Sequence, residues 1–224
     1  MGTVISFKRP DGQDASGYLA LAARGDAPGV IVIQEWWGVQ DQVKAVCERF
    51  ARAGFSALAP DLYRGVVVPY HDSRRASEQM ESLDFMDATT QTVAGAVVFL
   101  AKSGAKTGIV GYCMGGAVVV IAGAKVAGLS AGVAYYGLPP GEAAKASEVK
   151  IPLQGHFANQ DDWCTPDKVD AFEKDLKAAG KDFEFFRYDA GHAFGNEQRV
   201  SVHDRAAAEQ AWSRTTAFFD KHLR

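Results

Sequence analysis

The stretch GVIVIQE at Gly29–Glu35 opens with five successive residues that carry no polar side chain. A strand with one wet face alternates apolar and polar residues. A strand without polar side chains at successive positions has to be covered on both faces, which is the condition of an interior strand in a parallel sheet. FSALAPDLY at Phe55–Tyr63 reads as a second buried strand, running into a loop. Between the two, Asp41 to Ala53 sets Val43, Val46, Cys47 and Phe50 at helical spacing, and Gly54 ends the run. The alternation then continues. Arg64 to Ser73 carries Gly65, Pro69 and Asp72 and reads as an exposed excursion. Helices are expected over Arg74 to Met86, Ala88 to Lys102, Met114 to Val126, Pro166 to Ala179 and His203 to Leu223. Strands are expected at TGIVGY (Thr107–Tyr112), GVAYYG, KIPLQGHFA and FEFFRY. Two short strands, Val4 to Lys8 and Tyr18 to Ala20, joined around Asp11-Gly12, read as an opening antiparallel hairpin. The expected fold class is α/β, a mostly parallel central sheet with helices on both faces.

One domain over residues 1–224 accounts for this pattern, and a hydrophobic content of 47% supplies its core. The formal net charge is −3, and no basic run marks a nucleic-acid partner. No window approaches the ~18 apolar residues of a membrane span, and Met1 to Arg9 lacks the apolar stretch of a signal peptide. Three cysteines, Cys47, Cys113 and Cys164, without framework spacing fit reduced thiols and a cytoplasmic location.

The expected strand TGIVGY meets the expected helix MGGAVVVIA at Gly111-Tyr112-Cys113-Met114-Gly115. This is the G-x-x-x-G frame of a strand–turn–helix nucleophile elbow, with cysteine at its centre. The alternative is a small buried core cysteine between close-packed glycines. A thiol nucleophile needs a base, and the base needs an orienting acid. GHAF at Gly191–Phe194 opens a loop at the end of FEFFRY, where sites collect in open α/β sheets. Asp161 and Asp162 sit in the turn between GHFANQ and the helix that Pro166 starts, although either could simply cap that helix. Nucleophile, acid and histidine therefore follow in α/β-hydrolase order, each after its own strand. His156 lies inside a strand and reads as a core histidine, whereas His71, His203 and His222 lie in polar surroundings. Glutamine amidotransferases, which also use a cysteine elbow, are excluded because Phe194 stands where their glutamate follows the histidine. No His/Cys pair has metal-ligand spacing, and GYCMGG lacks the patterns of a phosphate cradle, so no metal or cofactor is expected.

Taken together, QEWWG (Gln34–Gly38), APDLY (Ala59–Tyr63), GYCMGG (Gly111–Gly116) and GHAF resemble the dienelactone hydrolase family over essentially the whole chain. The resemblance implies a monomeric, cytoplasmic α/β-hydrolase fold whose type member opens 4-carboxymethylenebut-2-en-4-olide in aromatic compound degradation. It implies Cys113 as nucleophile and His192 as base. It favours Asp161 as the acid, with Asp162 one residue away as the alternative. It further implies that Glu35 guards the resting thiol, and that the backbone N–H groups of Trp36 and Met114 form an oxyanion hole. The expected partner is a small ester or lactone bearing a carboxylate. In the type member two arginines hold that carboxylate. Asn196 stands at the second of those positions, with Arg199 nearby, and Arg75 (or Arg74) is the nearest match to the first. Trp36 and Trp37 are expected to add aromatic bulk at the pocket mouth. A carboxylesterase or thioesterase acting on another small ester is the alternative reading, and a non-enzymatic binding or oxidation-sensing protein a third.

Overall fold

The computed structural model describes residues 1–224. Its strands are β1 (Thr3–Lys8), β2 (Asp14–Ala20), β3 (Gly29–Ile33), β4 (Ser56–Pro60), β5 (Thr107–Tyr112), β6 (Leu129–Tyr135), β7 (Leu153–Gln160) and β8 (Phe183–Gly191). They form one sheet in the order β1-β2-β4-β3-β5-β6-β7-β8. The β1–β2 hairpin and the β2–β4 pair are antiparallel, and every pair from β4 to β8 is parallel. All five residues of β3 and all six of β5 are buried, as strands without a wet face must be.

The helices are α1 (Asp41–Arg52), α2 (Ser73–Glu81), α3 (Phe85–Asp87), α4 (Ala94–Ala101), α5 (Met114–Lys125), α6 (Pro166–Ala178) and α7 (Arg205–Leu223). Each buried strand feeds both layers. Val30, Val32 and Val110 pack with Val43, Cys47 and Phe50 of α1 and with Phe218 and Phe219 of α7. Ile31, Ile33 and Ile109 pack with Val118 and Val119 of α5 and with Val97 of α4. The two aliphatic faces of β3 and β5 thus decide which helices lie above the sheet and which lie below.

The structure departs from the sequence expectation in the 64–102 region. The helix expected to run to Met86 stops at Glu81. Asp84 then accepts the N–H groups of Met86 and Asp87 at 2.9 Å each, starting a new turn. A π-helical segment, Ala88–Val93, precedes α4. The 64–73 excursion is not uniformly exposed, because Val68 is fully buried against Trp37. His203 and His222 are half-buried rather than solvated: His203 bonds the Phe194 carbonyl at 2.9 Å, and His222 packs on Phe218. No helix is long and apolar enough to cross a membrane.

Candidate active site

Adjacent parallel strands β3, β5, β6, β7 and β8 each deliver one side chain at or just beyond their C-terminal ends: Glu35, Cys113, Tyr136, Asp161 and His192. The geometry follows from the sheet alone. In an open parallel sheet the carboxyl ends of neighbouring strands form one edge, and residues leaving that edge converge on it. Backbone strain collects there too. Cys113 (φ 56°), Tyr136 (φ 37°) and Ala193 (φ 63°) are three of the four non-glycine residues with positive φ.

Cys113 caps α5 at a sharp turn that tolerates no bulk around it. A β-carbon at Gly115 would lie 2.7 Å from the carbonyl oxygens of both Ile33 and Gln34, and one at Gly111 would overlap the Gly115 backbone. The structure brings the thiol, a histidine and an aspartate into one chain of contacts. His192 Nε2 lies 3.2 Å from Cys113 Sγ, and His192 Nδ1 lies 2.7 Å from Asp161 Oδ2. The other Asp161 oxygen accepts the backbone N–H groups of Trp163 (2.9 Å) and Cys164 (2.8 Å), which fixes the carboxylate. Asp162, the alternative acid, is exposed and makes no such contact with the imidazole. Burial alone would push the Asp161 carboxyl up. The hydrogen bond and charge of His192, with the two backbone donors, outweigh that and hold it below the usual carboxylate range.

The electrostatics of the thiol run against the expectation from the helix N-terminus, which by itself favours a thiolate. Burial and then the Glu35 carboxylate raise the Cys113 thiol well above its ordinary value, with Asp161 adding to them. The backbone N–H groups of Met114 and Trp36, which point at the sulfur, pull the other way and lose.

Glu35 is 2% exposed. Asn196 Nδ2 donates to its Oε2 at 2.8 Å and Tyr136 Oη to its Oε1 at 3.3 Å. The Asn196 amide cannot be turned round, because its Oδ1 accepts the Gln198 N–H at 3.1 Å. Burial raises the Glu35 carboxyl. The Asn196 hydrogen bond, the charges of His192 and Arg199, and the Tyr136 hydroxyl oppose the rise. Sequence reasoning did not find these two holders of Glu35. The signal for Asn196 was present, as a departure from the expected arginine. Tyr136 showed no sign, being the tail of an apolar strand.

Glu35, Trp36, Cys113, His192 and Arg199 line a cavity of about 170 Å³, together with Met80, Asp162, Trp163 and Ala193. Two expected substrate contacts are corrected here. Trp37 is 2% exposed and does not line the cavity: its indole packs edge-on to Trp36 and Tyr70, over Val68 and Ala76. The two rings touch, and of the pair only Trp36 lines the cavity that holds the thiol. Arg75 is exposed on the first turn of α2 and is absent from the cavity wall, as is Arg74, which pairs with Glu78 along the helix. Arg199 is therefore the cation of the cavity, with its guanidinium 5.4 Å from the Trp37 ring centre. No group of three His, Cys, Asp or Glu side chains is arranged to hold a metal ion.

Comparison with known proteins identifies the family. Residues 15–223 match the family described as "Dienelactone hydrolase family". "Protein usf" of Aquifex pyrophilus is 35% identical over 234 residues, covering all of both chains. A protein of Aquifex aeolicus named "Putative carboxymethylenebutenolidase" is 30% identical over 235 residues, again covering both chains in full. Among solved structures, that of a "Putative Dienelactone Hydrolase" from Klebsiella pneumoniae superposes with a TM-score of 0.88 at 26% identity, covering 99% of this chain and 100% of the other.

Proposed function

This chain belongs to the dienelactone hydrolase family, a family of carboxylic ester hydrolases, and on that premise we propose that it cleaves small activated esters or lactones through a Cys113 acyl-enzyme. The observation that carries the reading is the contact chain Sγ···Nε2 at 3.2 Å and Nδ1···Oδ2 at 2.7 Å, opening into a cavity with two backbone donors aimed at the sulfur.

The residues then act as follows. Substrate enters beside a protonated thiol. His192 Nε2 takes the thiol proton, with Asp161 holding the imidazole in the tautomer that leaves Nε2 free to accept it. The thiolate attacks the ester carbonyl carbon, and the N–H groups of Trp36 and Met114 bind the oxyanion. Collapse breaks the C–O bond, His192 returns its proton to the leaving oxygen, and a thioester remains on Cys113. Water then attacks the thioester with His192 as base. The acid is released and the thiol regains its proton. Because a thiolate is expelled from the tetrahedral intermediate more readily than an alkoxide, the reaction suits a good leaving group, such as the enolate of a dienelactone. Glu35 keeps the thiol protonated and unreactive until substrate is present. Arg199, the cavity's cation, favours a substrate bearing a carboxylate. A carboxymethylenebutenolide is the first candidate, and another small ester handled by the same residues is the alternative.

The test compares hydrolysis of 4-carboxymethylenebut-2-en-4-olide and p-nitrophenyl acetate by the wild type and Cys113→Ala, with mass spectrometry of the quenched wild-type enzyme. Turnover lost in the variant and a trapped acyl adduct on Cys113 are expected. Turnover surviving in Cys113→Ala would sink the nucleophile assignment. Cleavage of the aryl ester without the lactone would keep the mechanism and move the substrate.

A further inference from the structure

Trp163 stands between two cavities. On one side is the reaction cavity of about 170 Å³, which holds Cys113 and His192. On the other is a groove of about 480 Å³ with walls of Leu138, Pro139, Pro140, Gly141 and Phe172. The indole belongs to both walls and is 39% exposed. Its ring stands edge-on to His192 with centroids 5.3 Å apart. The main chain beneath it is anchored: its N–H bonds Asp161 Oδ1 at 2.9 Å, and its carbonyl accepts Lys168 Nζ at 2.8 Å. A fixed backbone with a half-exposed indole makes a partition rather than a buried wall.

We propose that, for acyclic esters, the groove beyond Trp163 is the subsite for the leaving alcohol, and that it takes an apolar alkyl or aryl group. The inference rests on the acyl-enzyme reading above. Three observations carry it. In that reaction the leaving oxygen has to receive its proton from His192 Nε2, so the alcohol departs on the imidazole side; of the two rings edge-on to that imidazole, Tyr136 is fully buried and Trp163 lines the reaction cavity. The reaction cavity alone is small. At ~30 Å³ per water it holds about six waters, below the ~300 Å³ at which small-molecule sites begin. An ester with a bulky alcohol has to extend out of it, and the adjoining groove supplies the room. Half of the groove's lining is hydrophobic, and its charged side chains, Lys168 and Asp175, are both exposed. Arg199 lies on the reaction-cavity side. The apolar part of the lining therefore favours an apolar group on the alcohol.

Gly141 allows the groove to be filled without disturbing the fold. A β-carbon there meets nothing within 4 Å, and its φ lies outside the left-handed region. The test measures kcat/KM for phenyl acetate and 4-phenylphenyl acetate in the wild type, Gly141→Phe and Trp163→Ala. A parallel series varies the acyl chain, p-nitrophenyl acetate against hexanoate. The biphenyl-to-phenyl ratio should fall about tenfold in Gly141→Phe and rise about tenfold in Trp163→Ala, the scale on which an apolar pocket discriminates. The acyl-chain ratio should stay within about twofold in Gly141→Phe. Alcohol ratios unchanged in both variants, or a change confined to the acyl series, would overturn the assignment. Binding of 4-phenylphenol to Cys113→Ala, followed by calorimetry, separates this inference from the mechanism. Binding that is lost on adding Gly141→Phe supports the groove even if ester turnover proves independent of Cys113, and absence of binding overturns it.

Discussion

Two histidines of this protein sit in hydrogen-bonded chains of similar richness and are fit for different things. His156, inside β7, is fully buried. Its Nδ1 lies 2.8 Å from Tyr188 Oη, and its Nε2 lies 2.9 Å from Gln154 Oε1 and 3.1 Å from Thr215 Oγ1. The Thr215 hydroxyl continues to Tyr135 at 2.7 Å, and Arg214 donates to Tyr188 at 3.0 Å. Burial, then the Arg214 charge, drives its pKa well below the ordinary value, so the ring stays neutral. His192, one residue past β8, also has both ring nitrogens engaged, but its side chain keeps 22% exposure and faces a cavity. Partner count does not separate the two rings. The identity of the partners does, with a carboxylate and a thiol at one ring and hydroxyls and an amide at the other. Position along the strand does so as well: the interior of a buried strand admits no ligand, and its end does.

The largest effects expected are those that pull the two histidines apart. His192→Ala should lower kcat/KM for p-nitrophenyl acetate by about 10²–10⁴-fold, the usual contribution of a positioned acid–base group, with Tm nearly unchanged. His156→Ala should leave the hydroxyl of Tyr188 and the amide of Gln154 short of a partner. That should cost about 3 kcal/mol, read in thermal denaturation as a Tm about 6–12 °C lower, with kcat of the folded fraction within a few-fold. Activity lost in His156→Ala at unchanged Tm would break the comparison.

The proposed acid sharpens the same contrast at a single peptide step. Asp161 carries the His192 contact and two backbone N–H groups, while Asp162 only borders the cavity. Asp161→Asn should cost about 10²–10⁴-fold in kcat, since an amide no longer enforces the imidazole tautomer or offsets its charge. Asp162→Asn should cost less than about tenfold, since it leaves the imidazole's partner in place. Equal losses in the two steady-state measurements would reopen the choice of acid.

How much of this was legible beforehand follows from where the information lies. Buried parallel strands advertise themselves as unbroken apolar runs, so β3 and β5 and the layer order could be read directly. Cys113, His192 and the Asp161–Asp162 pair could be read because each leaves a recognisable strand end in a known order, and only the family resemblance favoured Asp161 over its neighbour. Glu35 and Asn196 meet across 161 residues of chain, and no local pattern encodes that contact. Trp36 and Trp37 are adjacent and chemically identical, so only the loop's path decides which faces the cavity. The break between α2 and α3 rests on one carboxylate, Asp84, whose cap is cheap to form and easily mistaken for a helical surface residue.

The smallest effects concern the guard on the thiol, and here the sign has to be worked through. Alkylation by iodoacetamide tracks the thiolate. Burial and Glu35 raise the Cys113 thiol, so the free enzyme should react slowly at pH 7 and faster with rising pH. Glu35→Gln removes the charge that opposes the thiolate. The thiol pKa falls, the curve moves to lower pH, and the rate at pH 8 should rise by about tenfold if the shift is one unit. Glu35 itself is raised by burial, so as pH falls through its titration it becomes neutral in the wild type as well. The advantage of Glu35→Gln should therefore shrink on the acid side and be fullest above that titration. Asn196→Ala acts one step back. It removes the Nδ2 donor that favours the charged carboxylate, so Glu35 stays neutral to a higher pH. The thiol is then less opposed near neutrality, and alkylation should rise by about two- to fivefold, a fraction of the gain in Glu35→Gln. Above the displaced Glu35 titration the Asn196→Ala curve should rejoin the wild type, whereas Glu35→Gln stays apart. A parallel offset of both variants at every pH would mean that Asn196 only holds the loop, and a rate unchanged in both would remove Glu35 from control of the thiol.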